Sequence, residues 1–234
     1  MPYRELNSEK ILKTIQALEM RIEDRFPDSS LGKVCKELGD AGISITEQAK
    51  DLQQPIWWVW ALVATAVAAS GFLFFWVGTV VDFERWASTP LREVQGIEAA
   101  LNTLIIAGVG IITILSLENR LKRQRAIRAL APLRSITHVI DMHQLTKDPA
   151  ATSSGTEPTP ASPKRNLSPG ELMRYLDYCS EMLALTGKLA ALYAQSVDDV
   201  EVVKSVNDME MLTTNLSRKI WQKIMMIDPM ETVR

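Results

Sequence analysis

The sequence predicts an all-α protein: a two-span transmembrane helical hairpin with cytoplasmic helical hairpins that form a coiled-coil-like bundle. Three observations predict it. Two long apolar runs sit in the middle of the chain, the charged flanks carry apolar residues at helical spacing, and Lys and Arg crowd one side of the runs. The first run, 56–81, is 26 residues without a charge, about 39 Å of helix and enough to cross a bilayer with some tilt. The second, 99–117, is 19 uncharged residues, about 28 Å and still within the spanning range. Mean hydropathy over the whole chain is only +0.01, because the apolar residues are concentrated in about one quarter of it.

The segments follow in order. Residues 1–54 predict an N-terminal cytoplasmic helical hairpin. Ile11, Ile15, Leu18, Ile22 and Phe26 recur every three or four positions with charges on the other faces, a helical stripe. Pro27 stops that helix, and Asp28, Ser29 and Ser30 offer side-chain oxygens to the free amides of the next one. Its stripe is Leu31, Val34, Cys35, Leu38, Ile45, Ala49 and Leu52, with Gly39 and Gly42 as weak points. Pro55 marks the junction with the first span.

Residues 55–117 predict the transmembrane hairpin, with spans at about 56–81 and 98–117 and an outer loop at 82–96. Trp57, Trp58 and Trp60 open the first span, and Trp76 and Trp86 lie near and beyond its far end. Trp57 to Trp76 is about 28 Å of helix, one hydrocarbon thickness, as two interfacial aromatic belts require. Ala64, Ala68 and Gly71 in the first span and Gly108 and Gly110 in the second are small residues. Such residues let helices approach closely where lipid removes the hydrophobic drive to pair. Their expected partner is the other span or a second copy of the chain.

Thr89 and Pro90 open a helix expected to run to about Leu130, where Pro132 interrupts it before a further short helix. Residues 118–146 are thus a basic cytoplasmic extension plus a short helix. The loop between the spans holds two basic residues, Arg85 and Arg92, whereas six follow the second span. The positive-inside rule therefore places that side, and both termini, in the cytoplasm of an inner membrane. Arg120, Lys122, Arg123, Arg125 and Arg128 serve this topology or attract anionic lipid.

Residues 147–167 are rich in Pro, Ser, Thr, Ala and Gly, the composition of a flexible linker. Residues 168–228 predict a C-terminal cytoplasmic helical hairpin. Ser168, Pro169 and Glu171 form a capping-box signature. A heptad seam follows at Leu172, Leu176, Cys179, Leu183, Thr186, Ala190 and Tyr193. The last helix, capped by Ser196 to Asp199, has its seam at Val202, Val206, Met209, Leu216, Ile220, Ile224 and Ile227, and Pro229 ends it.

The residues that carry chemistry elsewhere are sparse. A net charge of −2 argues against a nucleic-acid partner. Two cysteines, Cys35 and Cys179, suit buried reduced thiols better than a disulfide framework. His138, Asp141 and His143 resemble a metal cluster, but His143 lies about 140° around the helix from His138, so no metal site is expected. No phosphate-binding glycine loop or nucleophile elbow occurs, and neither a cofactor nor catalysis is expected. The leading expectation is a non-enzymatic membrane anchor or scaffold. Its partners are the lipid bilayer, other copies of itself in a homo-oligomer, and a cytoplasmic protein. The alternatives are an oligomeric channel or membrane-perturbing effector gated by its cytoplasmic helices, and a signalling module without a catalytic domain.

Overall fold

The computed structural model describes residues 5–80, 90–147 and 167–231, with the single positions 149 and 160. These residues form six helices and no strand: α1 (Ser8–Arg25), α2 (Ser30–Gln53), α3 (Trp57–Val80), α4 (Pro90–Leu145), α5 (Pro169–Ser196) and α6 (Val200–Glu231). They divide into two units, one made of 1–53 with 125–234 and the other of 54–124. Most of the linker expected at 147–167, and residues 82–89 of the expected outer loop, lie outside the described residues. Residues 90–96 of that loop are already helical.

Local chemistry sets the helix ends of the first unit. Asn7 caps α1 by accepting the Lys10 amide at 3.0 Å. The chain then reverses over Phe26 to Ser29. Asp28 takes a left-handed backbone there, φ 56°, a conformation that Asp tolerates better than most residues. The Ser29 hydroxyl accepts the Gly32 amide and starts α2. Ser168 and Glu171 form the capping box their spacing announced. The Asp199 carboxylate accepts the Glu201 and Val202 amides at the head of α6.

α5 is the helix around which this unit is built. Half of its 28 residues are buried, including Tyr175, Leu176, Cys179, Met182, Leu183, Leu189 and Tyr193, and it packs against α6, α2 and α1. The expected seam is buried from Leu176 to Tyr193, and a second stripe through Tyr178, Met182, Leu185, Leu189 and Leu192 joins it. Every residue of the expected α6 seam is buried too, with Thr213 filling its one gap. Ile11, Ile15, Leu18 and Ile22 of α1 and Leu31, Cys35, Leu38, Ile45 and Leu52 of α2 belong to the same core.

Polar and aromatic contacts hold the register. The Arg21 guanidinium donates to both oxygens of Glu181, at 3.1 and 2.5 Å, and lies over the Tyr178 ring. Phe26 meets Tyr175 and Tyr178 edge-on. The Tyr193 hydroxyl donates to Gln48, and Ser180 pairs with Ser217 at 2.6 Å.

Two proline expectations are corrected. Pro132 does not divide the chain into two helices: α4 is one helix of 56 residues with Pro132 inside it. A proline there removes the bond to the Arg128 carbonyl and costs about 3 kcal/mol. Leu130, Leu133, Ile136 and Ile140, buried in the core on one stripe, outweigh it at about 1.5–3 kcal/mol for each side chain removed from water. Pro229 does not end α6, which runs to Glu231; so near a helix terminus, little of the hydrogen-bond ladder remains to be disrupted.

A Cβ built on Gly39 would sit 3.6 Å from Ile15, ordinary contact, whereas one on Gly187 would sit 3.0 Å from the Thr213 hydroxyl where α5 meets α6. Gly39→Ala is therefore expected to stabilise by about 0.5–1 kcal/mol through helix propensity. Gly187→Leu is expected to destabilise by about 1–3 kcal/mol through overpacking. Unfolding of the purified chain followed by circular dichroism checks both. Burial pushes the Cys35 and Cys179 thiols up to about 12, so neither forms the nucleophilic thiolate near neutral pH. Both should resist alkylation at pH 8 in the folded chain and react once it is denatured, as intact-mass measurement would show.

Candidate membrane interface

The second unit contains α3 and the first part of α4. Both helices are long and apolar enough to cross a membrane, and only 6% of each apolar window is buried within the chain. Phe72, Phe75, Leu104, Ile106 and Ile112 are all more than 60% exposed. Among the described residues of this unit only Val59 and Glu118 are buried, while half-buried positions recur at helical spacing, at Val63 and Ala66 on α3 and at Ile111 and Ile114 on α4.

Five hydroxyls along these helices bond to the backbone of their own helix. Thr65, Ser70, Thr113 and Ser116 each donate to the carbonyl four residues back, at 2.7–2.8 Å. Thr79 donates to the carbonyl of Trp76. Such back-bonding leaves these hydroxyls independent of solvent.

The aromatic residues divide as their spacing implies. Trp57, Trp58 and Trp60 project at one end of α3 and Trp76 toward the other, each at least 40% exposed; Trp86 lies outside the described residues. The small residues are not brought together. Ala64 and Ala68 are exposed, and a Cβ on Gly71, Gly108 or Gly110 would meet nothing within 4 Å. Within one chain these five positions mediate no close helix approach.

The contact that joins the two apolar helices centres on Glu118, a residue that sequence reasoning passed over. Its carboxylate accepts the Ile56 amide at 3.1 Å, just before the first residue of α3. It also pairs with Lys122 at 2.9 Å, one turn further along α4. The side chains of Lys122 and Glu118 are only 18% and 11% exposed. A carboxylate at a helix N-terminus both satisfies a free amide and offsets the positive end of the helix dipole. The available signal was a lone acid directly after an apolar run and ahead of six basic residues.

The basic residues therefore do different things. Lys122 is tied to Glu118, and Arg123 is half-buried and also engaged. Arg120 is exposed in this unit, and Arg125 and Arg128 are exposed in the other.

The remaining candidates lie in the helical core. His143 Nδ1 is 2.8 Å from the Val139 carbonyl, Asp141 accepts from the Gln144 side chain, and His138 is exposed. These three do not converge, and among the described residues no group of three His, Cys, Asp or Glu side chains is placed to hold a metal ion. A shallow open groove of about 460 Å³ between α5 and α6 is lined by Gly187, Lys188, Glu210, Thr214, Arg218 and Trp221.

No protein-family model, curated protein or solved structure matches this chain.

The Glu118 contact predicts a local effect. Hydrogen bonds to a charged group contribute about 1.5–3 kcal/mol, so Glu118→Ala should raise amide exchange at the start of α3 by about 10- to 100-fold. Glu118→Gln, which keeps an acceptor, should raise it less. Hydrogen–deuterium exchange of the peptide spanning 55–60 measures this, and unchanged protection in Glu118→Ala would count against the contact.

Proposed function

We propose that the chain is a non-enzymatic integral membrane protein of the bacterial inner-membrane type. α3 and the apolar part of α4 cross the bilayer as a hairpin with both termini in the cytoplasm. The helical core is a scaffold that docks further copies of the chain or a cytoplasmic protein. The observation that carries this reading is the bareness of the two apolar helices. At about 1.5–3 kcal/mol for each large side chain, that surface cannot stay in water without strong pressure toward aggregation.

The other features support the same reading. Back-bonded hydroxyls remove the need for water along the helices, and Trp57 and Trp76 stand about one hydrocarbon thickness apart. Arg120, Arg125 and Arg128 remain exposed on the side that the charge rule assigns to the cytoplasm. Gly71, Gly108 and Gly110, open within one chain, are free to receive a helix from a second copy. The absence of any charge in the apolar runs favours an anchor over a transporter, which uses ionisable groups inside the membrane.

Expressed in bacterial cells, the chain should stay with the membrane pellet through an alkaline carbonate wash. A cysteine at Ser88 should react with an impermeant maleimide in spheroplasts, and one at Arg128 only after permeabilisation. Release by carbonate, or labelling of Arg128→Cys from outside, overturns the anchor or its orientation. Mass photometry in detergent tests the scaffold: an oligomer or a partner-bound species supports it. A lone monomer over the accessible concentration range, with nothing retained from native membranes, defeats it.

A further inference from the structure

The apolar part of α4 carries its polar side chains mostly along one line. Asn102, Ile106, Val109, Thr113, Ser116 and Arg120 are all exposed and follow one another at alternating intervals of four and three. At 100° per residue they fall within about 80° of arc. The side half-buried within the chain lies across the helix, through Ala107, Ile111 and Ile114. On the same projection these residues stand about 120–180° from Asn102. So does Glu118, which accepts the Ile56 amide at the head of α3. The line is therefore turned away from the contact that joins the two apolar helices.

Asn102 is the costly member. Among the described residues none hydrogen-bonds its side chain, whereas Thr113 and Ser116 donate to carbonyls of their own helix. A primary amide without a partner is expensive in hydrocarbon. Of the four polar residues between 101 and 117, only Thr103 lies off the line, about 100° around the helix from Asn102.

We propose that this line seats a second copy of the chain, the two α4 helices running parallel with Asn102 against Asn102. The pairing rests on the membrane reading above and names the surface by which two anchored copies meet. Copies inserted in one orientation carry α4 in the same direction, and a two-fold axis along the membrane normal then sets like residues opposite. Asparagine complements itself there, because the amide of one donates to the side-chain carbonyl of the other. Alternation of four and three is the spacing at which two helices cross at about 20° and stay in contact along their length. Glu98 and Arg120 bound the line, both exposed and both outside the apolar run, where like charges keep their contact with water and headgroups. Ile106 and Val109 part Asn102 from Thr113 with an apolar stretch, which suits helix packing better than a wetted lumen.

The test uses the full chain in phosphatidylcholine vesicles at low protein-to-lipid ratio. A cysteine is placed at Val109, on the line, or at Leu104, on the other side of the helix; the two residues are exposed at 59 and 68%. Copper-phenanthroline oxidation should turn Val109→Cys into a disulfide-linked dimer. It should leave Leu104→Cys and the unaltered chain, whose own two thiols are buried, as monomers. Energy transfer between labelled chains gives the strength of the pairing. Asn102→Leu should weaken it by about 3- to 30-fold, the worth of one hydrogen bond between helices in lipid. Asn102→Gln, which keeps the amide, should weaken it less. A chain that resists carbonate extraction but gives no Val109→Cys dimer, or an equal Leu104→Cys one, overturns this inference and spares the anchor. Release by carbonate overturns both. Association untouched by Asn102→Leu rejects the proposal, and an ion leak that the same variant abolishes then assigns the line to a water-filled lumen.

Discussion

The constraint on which the rest of the structure depends is that two long apolar helices find almost no partner surface within their own chain. A core helix of comparable hydropathy would be enclosed by its neighbours; here only 6% of each apolar window is buried. The sequence around these helices fits that condition. Charges are absent from the runs and gather immediately after them, and the hydroxyls turn back onto their own backbone. The buried carboxylate beside them, Glu118, sits where a helix N-terminus supplies an amide and Lys122 supplies a countercharge. Each feature reduces what would be left unsatisfied in a medium without water.

The helical core obeys the opposite rule. No single segment of it encloses an apolar stripe alone, so α1, α2, the tail of α4, α5 and α6 share one cluster of buried side chains. Small helical hairpins bury too little surface to be independently stable, and closing two distant stretches, α1–α2 and the tail of α4, on the α5–α6 pair solves that. The outcome at Pro132 follows from the same arithmetic. Local sequence says that the helix should stop, and several buried aliphatic side chains on its tail say that it should continue. Packing exceeds the proline penalty, so the helix continues.

What could be read from the sequence was what depends on periodicity. The stripes of α1, α2 and α6 came from spacing alone and are buried almost residue for residue, and the Ser168 capping box was visible as a four-residue signature. What periodicity cannot give is how many neighbours a helix has. A seven-residue seam on α5 implied one partner, but Tyr175, Tyr178, Met182, Leu189 and Leu192 face others. Those residues look like an ordinary second face until α1 and α2 arrive from more than a hundred residues away. Glu118 was illegible for a related reason. Its meaning lies in the Ile56 amide, 62 positions earlier, and no local pattern connects the two. The small residues depend on a partner as well: Gly71 and Gly108 suit close helix approach in composition, and within one chain nothing lies within 4 Å of a Cβ built on either.

The last turn of α4 shows how these two rules meet on a single helix. Its C-terminal carbonyls carry the negative end of the helix dipole, and one lysine from outside the helix donates to that end. Lys223 of α6 donates to the Gln144 carbonyl, and Lys147, just past the terminus, lies 5.1 Å from the centre of the Tyr175 ring of α5. The helix that begins its apolar course at one end is therefore pinned at the other by a cap it does not itself supply. An α-helix resists stretching, so a shift of α4 along its axis would have to break the Lys223 bond or bend the helix. Pro132, already short of one backbone bond, is the point least able to resist bending. The buried stripe on either side of it makes that bend costly, and this gives the proline a tolerable place in an otherwise continuous rod.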